Sequence, residues 1–541
     1  MRTTVGAVHE AIAASRPDEP CLVFRDRRFT WHEVTERTRR FANTLHDRGL
    51  GTHTERSALP GWESGQDHLA LYLHNGNEYL EAMLGAFKAR VAPVNVNYRY
   101  VAEELAYLLA DSGAVAIVFH SAFAATLQEV RGRLPQLRHF FQVADESEVG
   151  LLPGAVWYED ALAAASNEPP PVEPSPEDLY ILYTGGTTGR PKGVLWEQAD
   201  AIVECFGGLR SAATLDDMVA AASSGRRALM AAPFMHGAGH WVSFSTWHAG
   251  GTVYVQSVPE RLDPADVWSI VERDRIDFLL IVGDSFARPL VDELDRTAYD
   301  VSSLAVVLSG GATLSVGLKR DLLDRIPGVM ILDGLGSSES GGLLLDISTA
   351  GSATSGRFPA GDNVHVISED LTRELPPGDP ELGWLAKSGG LALGYLHDAA
   401  KTARTYPVID GRRYVIPGDR ARRLADGSIE LHGRDSVTIN SGGEKIFAEE
   451  VESAVKAHPA VYDCVVAGRP SERWGSEVVA VVQLRDGESV GIDELRTEAA
   501  RHIARYKLPK DWVFVPRVAR SPSGKADYRW ARSVAETGSA P

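Results

Sequence analysis

Only three cysteines occur in the 541 residues, and Cys21, Cys205 and Cys464 lie too far apart for metal-ligand spacing. A disulfide scaffold and a cysteine-based metal centre are thereby excluded; the thiols suit a reducing compartment and small buried positions. The chain has no apolar run of about 18 residues or more, and Met1-Arg2-Thr3-Thr4-Val5 lacks the apolar core of a secretory signal. A cytoplasmic protein without an integral membrane segment is expected. Cations are also in deficit: 55 Lys+Arg against 73 Asp+Glu give a net charge of −18, which argues against nucleic acid as a partner. Any phosphate-binding site must therefore concentrate its cations locally. Hydrophobic content of 44% and charged content of 24% are those of a globular protein, and 541 residues are too many for one core, so two or more domains are expected.

Short apolar runs at 69–73, 92–96, 114–119, 179–182, 252–256, 277–282, 304–308 and 329–332 read as strands. Helical spacing separates them, as at 78–88, where Tyr79, Met83, Leu84 and Phe87 share one face. This alternation predicts parallel α/β sheets. The Pro-rich stretch 167–174 reads as a rigid connector, and 211–227 as a mobile loop. After Arg434 the pattern changes to a compact α+β unit. A strand at 437–440 enters a Gly-Gly turn, a helix at 448–458 carries Val451 and Val455 at i, i+4, strands follow at 463–468 and 477–484, and a helix spans 492–506. The boundary falls near 433–436, dividing the chain into 1–433 and 434–541.

Chemistry concentrates in a few places. Tyr183-Thr184-Gly185-Gly186-Thr187-Thr188-Gly189-Arg190-Pro191-Lys192-Gly193-Val194 packs four glycines, three threonines and two cations behind a strand. Glycines let backbone N–H groups turn toward an anion while hydroxyls and cations add donors, so this is a polyphosphate cradle; its spacing is not that of a Walker A loop. Asp333-Gly334-Leu335-Gly336-Ser337-Ser338-Glu339 leaves a strand for a turn that presents a carboxylate suited to Mg²⁺ held jointly with phosphates. Ser309-Gly310-Gly311-Ala312 ends another strand with residues small enough for close ligand approach. His236 sits in Pro233-Phe234-Met235-His236-Gly237. Asp419 can clamp vicinal hydroxyls, and Arg434 can serve ribose or phosphate. A terminal Ser521-Pro522-Ser523-Gly524-Lys525 turn offers an ammonium, and Ser441-Gly442-Gly443-Glu444-Lys445 a second Gly-rich turn.

In order and spacing these motifs resemble the adenylate-forming superfamily: acyl-CoA synthetases, adenylation domains and firefly-type luciferases. The resemblance covers nearly the whole chain. It implies an α/β fold with a large N-terminal domain of parallel α/β sheets plus a small β-subdomain, and a small mobile α+β C-terminal domain. It implies ATP, Mg²⁺ and coenzyme A, and a reaction in two steps: a carboxylate attacks the α-phosphate to give acyl-AMP and pyrophosphate, then a thiol takes the acyl group and releases AMP. By the same resemblance Thr184, Gly185, Gly186, Thr187, Thr188, Gly189 and Lys192 hold the β- and γ-phosphates. Gly310, Gly311 and Ala312, with Asp333, Gly334, Leu335, Gly336, Ser337 and Ser338, wall the adenine and the adenylate. Asp419 and Arg434 take the ribose, and Glu339 and Thr188 the Mg²⁺. Lys525, His236, Thr188 and Glu339 are the implied catalytic set, and Ser441, Gly442 and Gly443 the implied CoA side. Leu335 replaces the family's usual tyrosine and Ser338 its threonine, while the hinge position falls on Ser436, with Asp435 one place early.

No Asp stands beside His236 to hold a substrate ammonium, which disfavours amino-acid substrates. The resemblance places Gly237, Trp241, Phe244, Trp247, Ile281, Val282 and 341–344 around the acid, an apolar lining that favours a fatty, aromatic or steroid side-chain acid. Segments 79–99, 233–240 and 437–452 resemble actinobacterial fatty-acid and sterol-side-chain CoA ligases. A luciferase-like oxygenase and a non-catalytic acyl-AMP binder are the alternatives, and a homodimer is a family-level expectation.

Overall fold

The apolar runs of the first 350 residues, joined by the short strand Gly394–Tyr395, assemble into two eight-stranded sheets with parallel cores, the first antiparallel at both edges and the second at one edge only. In the computed structural model the described residues are 2–184, 190–353, 356–441, 444–471, 475–521 and 524–540. One sheet runs Gly341–Ser348, Met330–Ser337, Val306–Gly310, Phe278–Ile281, Arg227–Met230, Thr252–Val255, Pro20–Phe24, Arg27–Thr30. The other runs Gly394–Tyr395, Lys192–Glu197, Leu179–Thr184, Ala92–Asn95, His68–Tyr72, Ala116–His120, His139–Val143, Ala155–Trp157. Leucines and valines of both, Leu71, Val118 and Leu182 with Leu229, Val253 and Leu280, belong to one buried cluster, and Tyr79, Leu80, Met83, Leu84 and Phe87 of helix Asn77–Lys88 join it.

That helix departs from the one-sided amphipathic pattern expected. Every residue of Asn77–Lys88 is buried. Three charges are carried inside because partners arrive from other elements: Arg27 donates to Glu78 at 3.1 Å, Arg37 donates to Glu81 at 2.8 and 2.9 Å, and Lys88 pairs with Glu10 and donates to Thr38 Oγ1 at 2.9 Å. Burial pushes the Lys88 ammonium down to about 8 against the pull of Glu10.

Two antiparallel hairpins carry the phosphate-loop and Glu339 motifs. Leu179–Thr184 and Lys192–Glu197 form a hairpin with the Thr/Gly/Lys loop at its tip. Met330–Ser337 and Gly341–Ser348 form a second, with Glu339 in its turn. Both turns emerge at the carboxyl ends of parallel strands, where open α/β sheets bind ligands. A seven-stranded, largely antiparallel sheet follows between Arg357 and Arg434, then a five-stranded sheet between Thr438 and Phe514 that holds its own valine-rich core.

Two expectations are corrected. Within 211–227 a helix, Leu215–Ala221, forms because Thr214 and Asp217 make a reciprocal capping box, and it buries Met218. The helix expected over 492–506 stops at Ala499, and only the short 3₁₀ turn Arg505–Lys507 follows.

Gly193 faces Tyr183 across the phosphate-loop hairpin. A Cβ there would lie 2.7 Å from Tyr183 Cε2 and 3.0 Å from Ile181 Cγ2. Gly193→Ala is expected to destabilise by ~1–3 kcal/mol through overpacking. Thermal denaturation checks this against Gly132→Ala, whose added methyl would meet nothing within 4 Å.

Candidate active site

The base of the phosphate loop is tightly held. Thr184 and Lys192 are register partners, and Gly185 to Gly189, Thr187 and Thr188 included, lie outside the described residues. The Tyr183 hydroxyl donates to Asp111 Oδ2 at 2.7 Å, and the Tyr107 hydroxyl to the Pro191 carbonyl at 3.2 Å. Lys192 forms an ion pair with Asp398, which also caps the helix Ala399–Thr405 by accepting from the Lys401 N–H. The Lys192 hydrogen bond holds the Asp398 carboxyl below its usual range.

The Glu339 turn is braced from behind. Ser337 and Ser340 exchange hydrogen bonds, Trp196 Nε1 donates to the Ser338 carbonyl at 2.8 Å, and buried Lys387 donates to the Ser340 and Gly342 carbonyls at 2.6 and 3.0 Å. Tyr395 Oη donates to Glu339 Oε1 at 2.7 Å. Among the described residues nothing hydrogen-bonds or pairs with Glu339 Oε2. A Cβ at Gly336 would fall 2.5 Å from the Gly341 carbonyl, so the bulge after Leu335 requires glycine. Leu335 itself packs against the core of the seven-stranded sheet. Asp333 turns its carboxylate to Lys319 at 2.9 Å, opposite Asp346, so it braces the helix Val316–Arg325.

Asp419 and Arg434 are opposite each other on neighbouring antiparallel strands, with Arg434 Nε 3.2 Å from Asp419 Oδ1. Their separation in sequence is the length of one hairpin around 425–427. Asp419, aided by Glu339 and Glu449, holds the Arg434 guanidinium above its ordinary range, outweighing burial.

Lys525 reaches this group from the far end of the chain. Arg520, clamped by Asp463 at 2.6 Å, donates to the Gly524 carbonyl at 3.0 Å. Gly524 has φ 71° and abuts Ser285: a Cβ there would lie 2.1 Å from its hydroxyl. Beside it Lys456 donates to Asp284 at 2.6 Å, a buried ion pair between the two parts of the chain. The Lys525 stem passes over Gly311, where a Cβ would come within 4.0 Å of Lys525 Cε; Gly310 and Ala312 flank it. The ammonium is open to the cleft yet ringed by protein. That enclosure, then Arg434, press it down to about 8, opposed by Glu339 and Asp419.

His236 precedes the helix Gly237–His248. Asn75 and Asn95 fix its approach: Asn75 binds the Ala232 carbonyl and Phe234 N–H, and Asn95 binds the Met235 carbonyl and both backbone groups of Tyr183. Among the described residues His236 Nε2 is buried without a hydrogen-bond partner, and burial, followed by nearby Lys525, lowers the ring to about 3. The imidazole is therefore neutral at physiological pH. His240 is buried, accepting from Tyr180 Oη and bonded to the Phe234 carbonyl at 2.6 Å. Trp241 Nε1 donates to the same Tyr180 hydroxyl at 2.8 Å. Phe244 and Trp247, expected around the acid, instead pack into the domain core, with Trp247 Nε1 on the Cys21 carbonyl.

Lys525, Arg434, Asp419, Glu339, His236 and Gly311 thus converge, with Lys192 tied to the same cleft through Asp398. Ser441 is not among them: it is a buried strand residue paired with Glu444 and Gly475, and Gly442 and Gly443 lie outside the described residues. Sequence reasoning missed Tyr395, Asp398 and Lys401. Their signal is Gly394-Tyr395-Leu396-His397-Asp398, an aromatic at a strand end followed by an N-cap aspartate.

Residues 9–396 match the AMP-binding enzyme family, and 450–525 match the AMP-binding enzyme C-terminal domain. The chain is 54% identical over 542 residues to the medium-chain acyl-CoA ligase Mig of Mycobacterium avium, covering 99% of this chain and 98% of that protein. It is 38% identical over 531 residues to 3-oxocholest-4-en-26-oate–CoA ligase of Rhodococcus rhodochrous, covering 95% and 93%. Among solved structures, the anthranilate CoA ligase AuaEII with anthranoyl-AMP superposes with a TM-score of 0.84 at 22% identity, covering 99% of this chain and 97% of that one. With the cleft assembled and these relatives matching end to end, the chain belongs to the AMP-binding enzyme family, as an acyl-CoA synthetase of the adenylate-forming superfamily.

Proposed function

We propose that this acyl-CoA synthetase activates an apolar carboxylic acid, a medium- or long-chain fatty acid or a steroid side-chain acid, and that the cleft around Gly311 is where the acid meets ATP. The observation that carries the assignment is the arrival of Lys525 from the chain's end beside Arg434, Asp419 and Glu339. The substrate class rests on the 54% identical medium-chain ligase and the 38% identical 3-oxocholest-4-en-26-oate ligase. We divide the chain at 433/434, with Lys525 carried by the C-terminal part. Among the described residues no helix is long and apolar enough to cross a membrane, which accords with a cytoplasmic enzyme.

Thr184, Lys192 and the loop between them take the β- and γ-phosphates, the part that leaves as pyrophosphate; Lys192 exchanges Asp398 for phosphate. Asp419 accepts from the ribose hydroxyls. Gly311, without a side chain, lets the α-phosphate and the acid carboxylate approach, and the Lys525 ammonium offsets the negative charge that gathers there during attack. Neutral His236 borders the carboxylate without adding charge. A single half-satisfied carboxylate, Glu339, fits Mg²⁺, which is held mainly by substrate phosphates and few protein oxygens. When bound, Mg²⁺ would neutralise phosphate charge. In the thioester step the Lys525 ammonium has no further role, and CoA's thiol attacks the acyl carbon with AMP leaving.

Lys525→Ala is expected to slow acyl-AMP formation by roughly 10²–10³-fold, as loss of one charge-stabilising donor does. CoA transfer from preformed acyl-AMP should be largely retained; equal loss of both half-reactions refutes the assignment. Because the active form is the ammonium and its pKa in the free enzyme is about 8, kcat/KM for ATP in adenylation should fall as pH rises through that value. Lys525→Ala should lack this alkaline limb in a pH–rate profile. A hydroxylamine-trapping screen is expected to give hydroxamates with hexanoate to octadecanoate and a steroid side-chain acid, and little with acetate or benzoate. The reverse selectivity would overturn the apolar-acid reading.

A further inference from the structure

The carboxylate of Glu339 is aimed by one phenol. Tyr395 is 2% exposed, and its hydroxyl donates to Glu339 Oε1 at 2.7 Å, leaving Oε2 as the oxygen without a hydrogen bond or ion pair among the described residues. The tyrosine has little freedom to move. Its strand is zipped to the one that follows the phosphate loop, with Tyr395 opposite Val194 and Gly394 opposite Leu195, and the Leu396 N–H donates to the Gly193 carbonyl at 2.8 Å. Its own N–H donates to Thr402 Oγ1 at 2.9 Å, and Lys401 Nζ lies over its ring at 4.0 Å. Three residues on, Asp398 holds Lys192. One short segment therefore grips both the metal-facing carboxylate and the phosphate-loop lysine. Burial, then the Glu339 charge, push the phenol above its ordinary range, so it stays a donor.

We propose that Tyr395 is a positioning residue for Mg²⁺·ATP: its hydroxyl fixes the Glu339 carboxylate so that Oε2 faces the nucleotide's phosphates. This rests on Glu339 receiving Mg²⁺ as assigned above. A partner that orients a ligating carboxylate typically contributes roughly 10-fold or more in metal affinity. Phenylalanine keeps the ring, its packing and the Lys401 contact, and removes only the hydrogen bond.

The test is calorimetric binding of α,β-methylene-ATP at varied Mg²⁺ to the wild type, Tyr395→Phe, Glu339→Gln and the double variant, with AMP binding and melting temperature as controls for folding. Tyr395→Phe is expected to raise the Mg²⁺ needed for half-maximal nucleotide binding roughly 10-fold while AMP binding is kept. In the Glu339→Gln background the tyrosine change should add nothing. If Glu339→Gln abolishes the Mg²⁺ dependence and Tyr395→Phe leaves it intact, or if the two effects simply add, Tyr395 does not act through Glu339 and the proposal falls alone. If Glu339→Gln itself leaves the Mg²⁺ dependence unchanged, the metal assignment falls and takes the proposal with it.

Discussion

Holding several cations close together in a strongly acidic protein is the constraint around which this molecule is arranged. Lys192, Lys401, Arg434 and Lys525 gather at one cleft of a chain whose net charge is −18. Each would repel the others, and the cost shows in Lys525, pressed down to about 8 by enclosure and by Arg434. Carboxylates placed between the cations offset this: Asp398 on Lys192, Asp419 on Arg434, and Glu339 acting on both Arg434 and Lys525. A polyphosphate brings the negative charge that this arrangement lacks.

The scaffold meets that demand by separating rigid from exchangeable contacts. The two hairpin turns assigned to the ligand grow from sheets whose central parallel strands are buried on both faces. Behind the turns, hydrogen bonds anchored on the scaffold do the fixing: Asn95 joins the phosphate-loop strand to the His236 segment, Trp196 and the buried Lys387 ammonium fix the Glu339 turn, and Tyr395 aims its carboxylate. The Lys192–Asp398 ion pair is the contact that the proposed function has phosphate displace. The Lys525 turn is docked by a buried ion pair, Lys456–Asp284, and by the close seat of Gly524 on Ser285. A buried pair loses several kcal/mol, about 3–5, when one partner is removed, so this contact has a defined geometry or none.

Much of the fold was legible because its strands are nearly continuous apolar runs, and period and length are local properties. The capping box Thr214–Asp217 was also local, but the surrounding Ala, Ser and Gly masked it. The burial of Glu81 and Lys88 was not legible, since their partners Arg37 and Glu10 lie on other helices. Phe244 and Trp247 illustrate the same limit: helix spacing gives their periodicity, and only the neighbours Phe206, Trp31 and His9 decide that they face the core.

The sequence by itself determined the chemistry on offer: the Thr/Gly/Lys loop, the Glu339 turn, Asp419, Arg434 and Lys525 announce themselves by residue type and order. It determined the family too, because those motifs recur in sequence along the whole chain. Tertiary structure alone decided which groups stand together and in what state. Strand register sets Asp419 against Arg434, docking of the terminal unit lays Lys525 over Gly311, and pairing of Gly394–Tyr395 with the phosphate-loop strand delivers Tyr395 to Glu339. Electrostatic interaction depends on distance and enclosure rather than on chain order, so the lowered Lys525 and the neutral His236 exist only once the chain has folded.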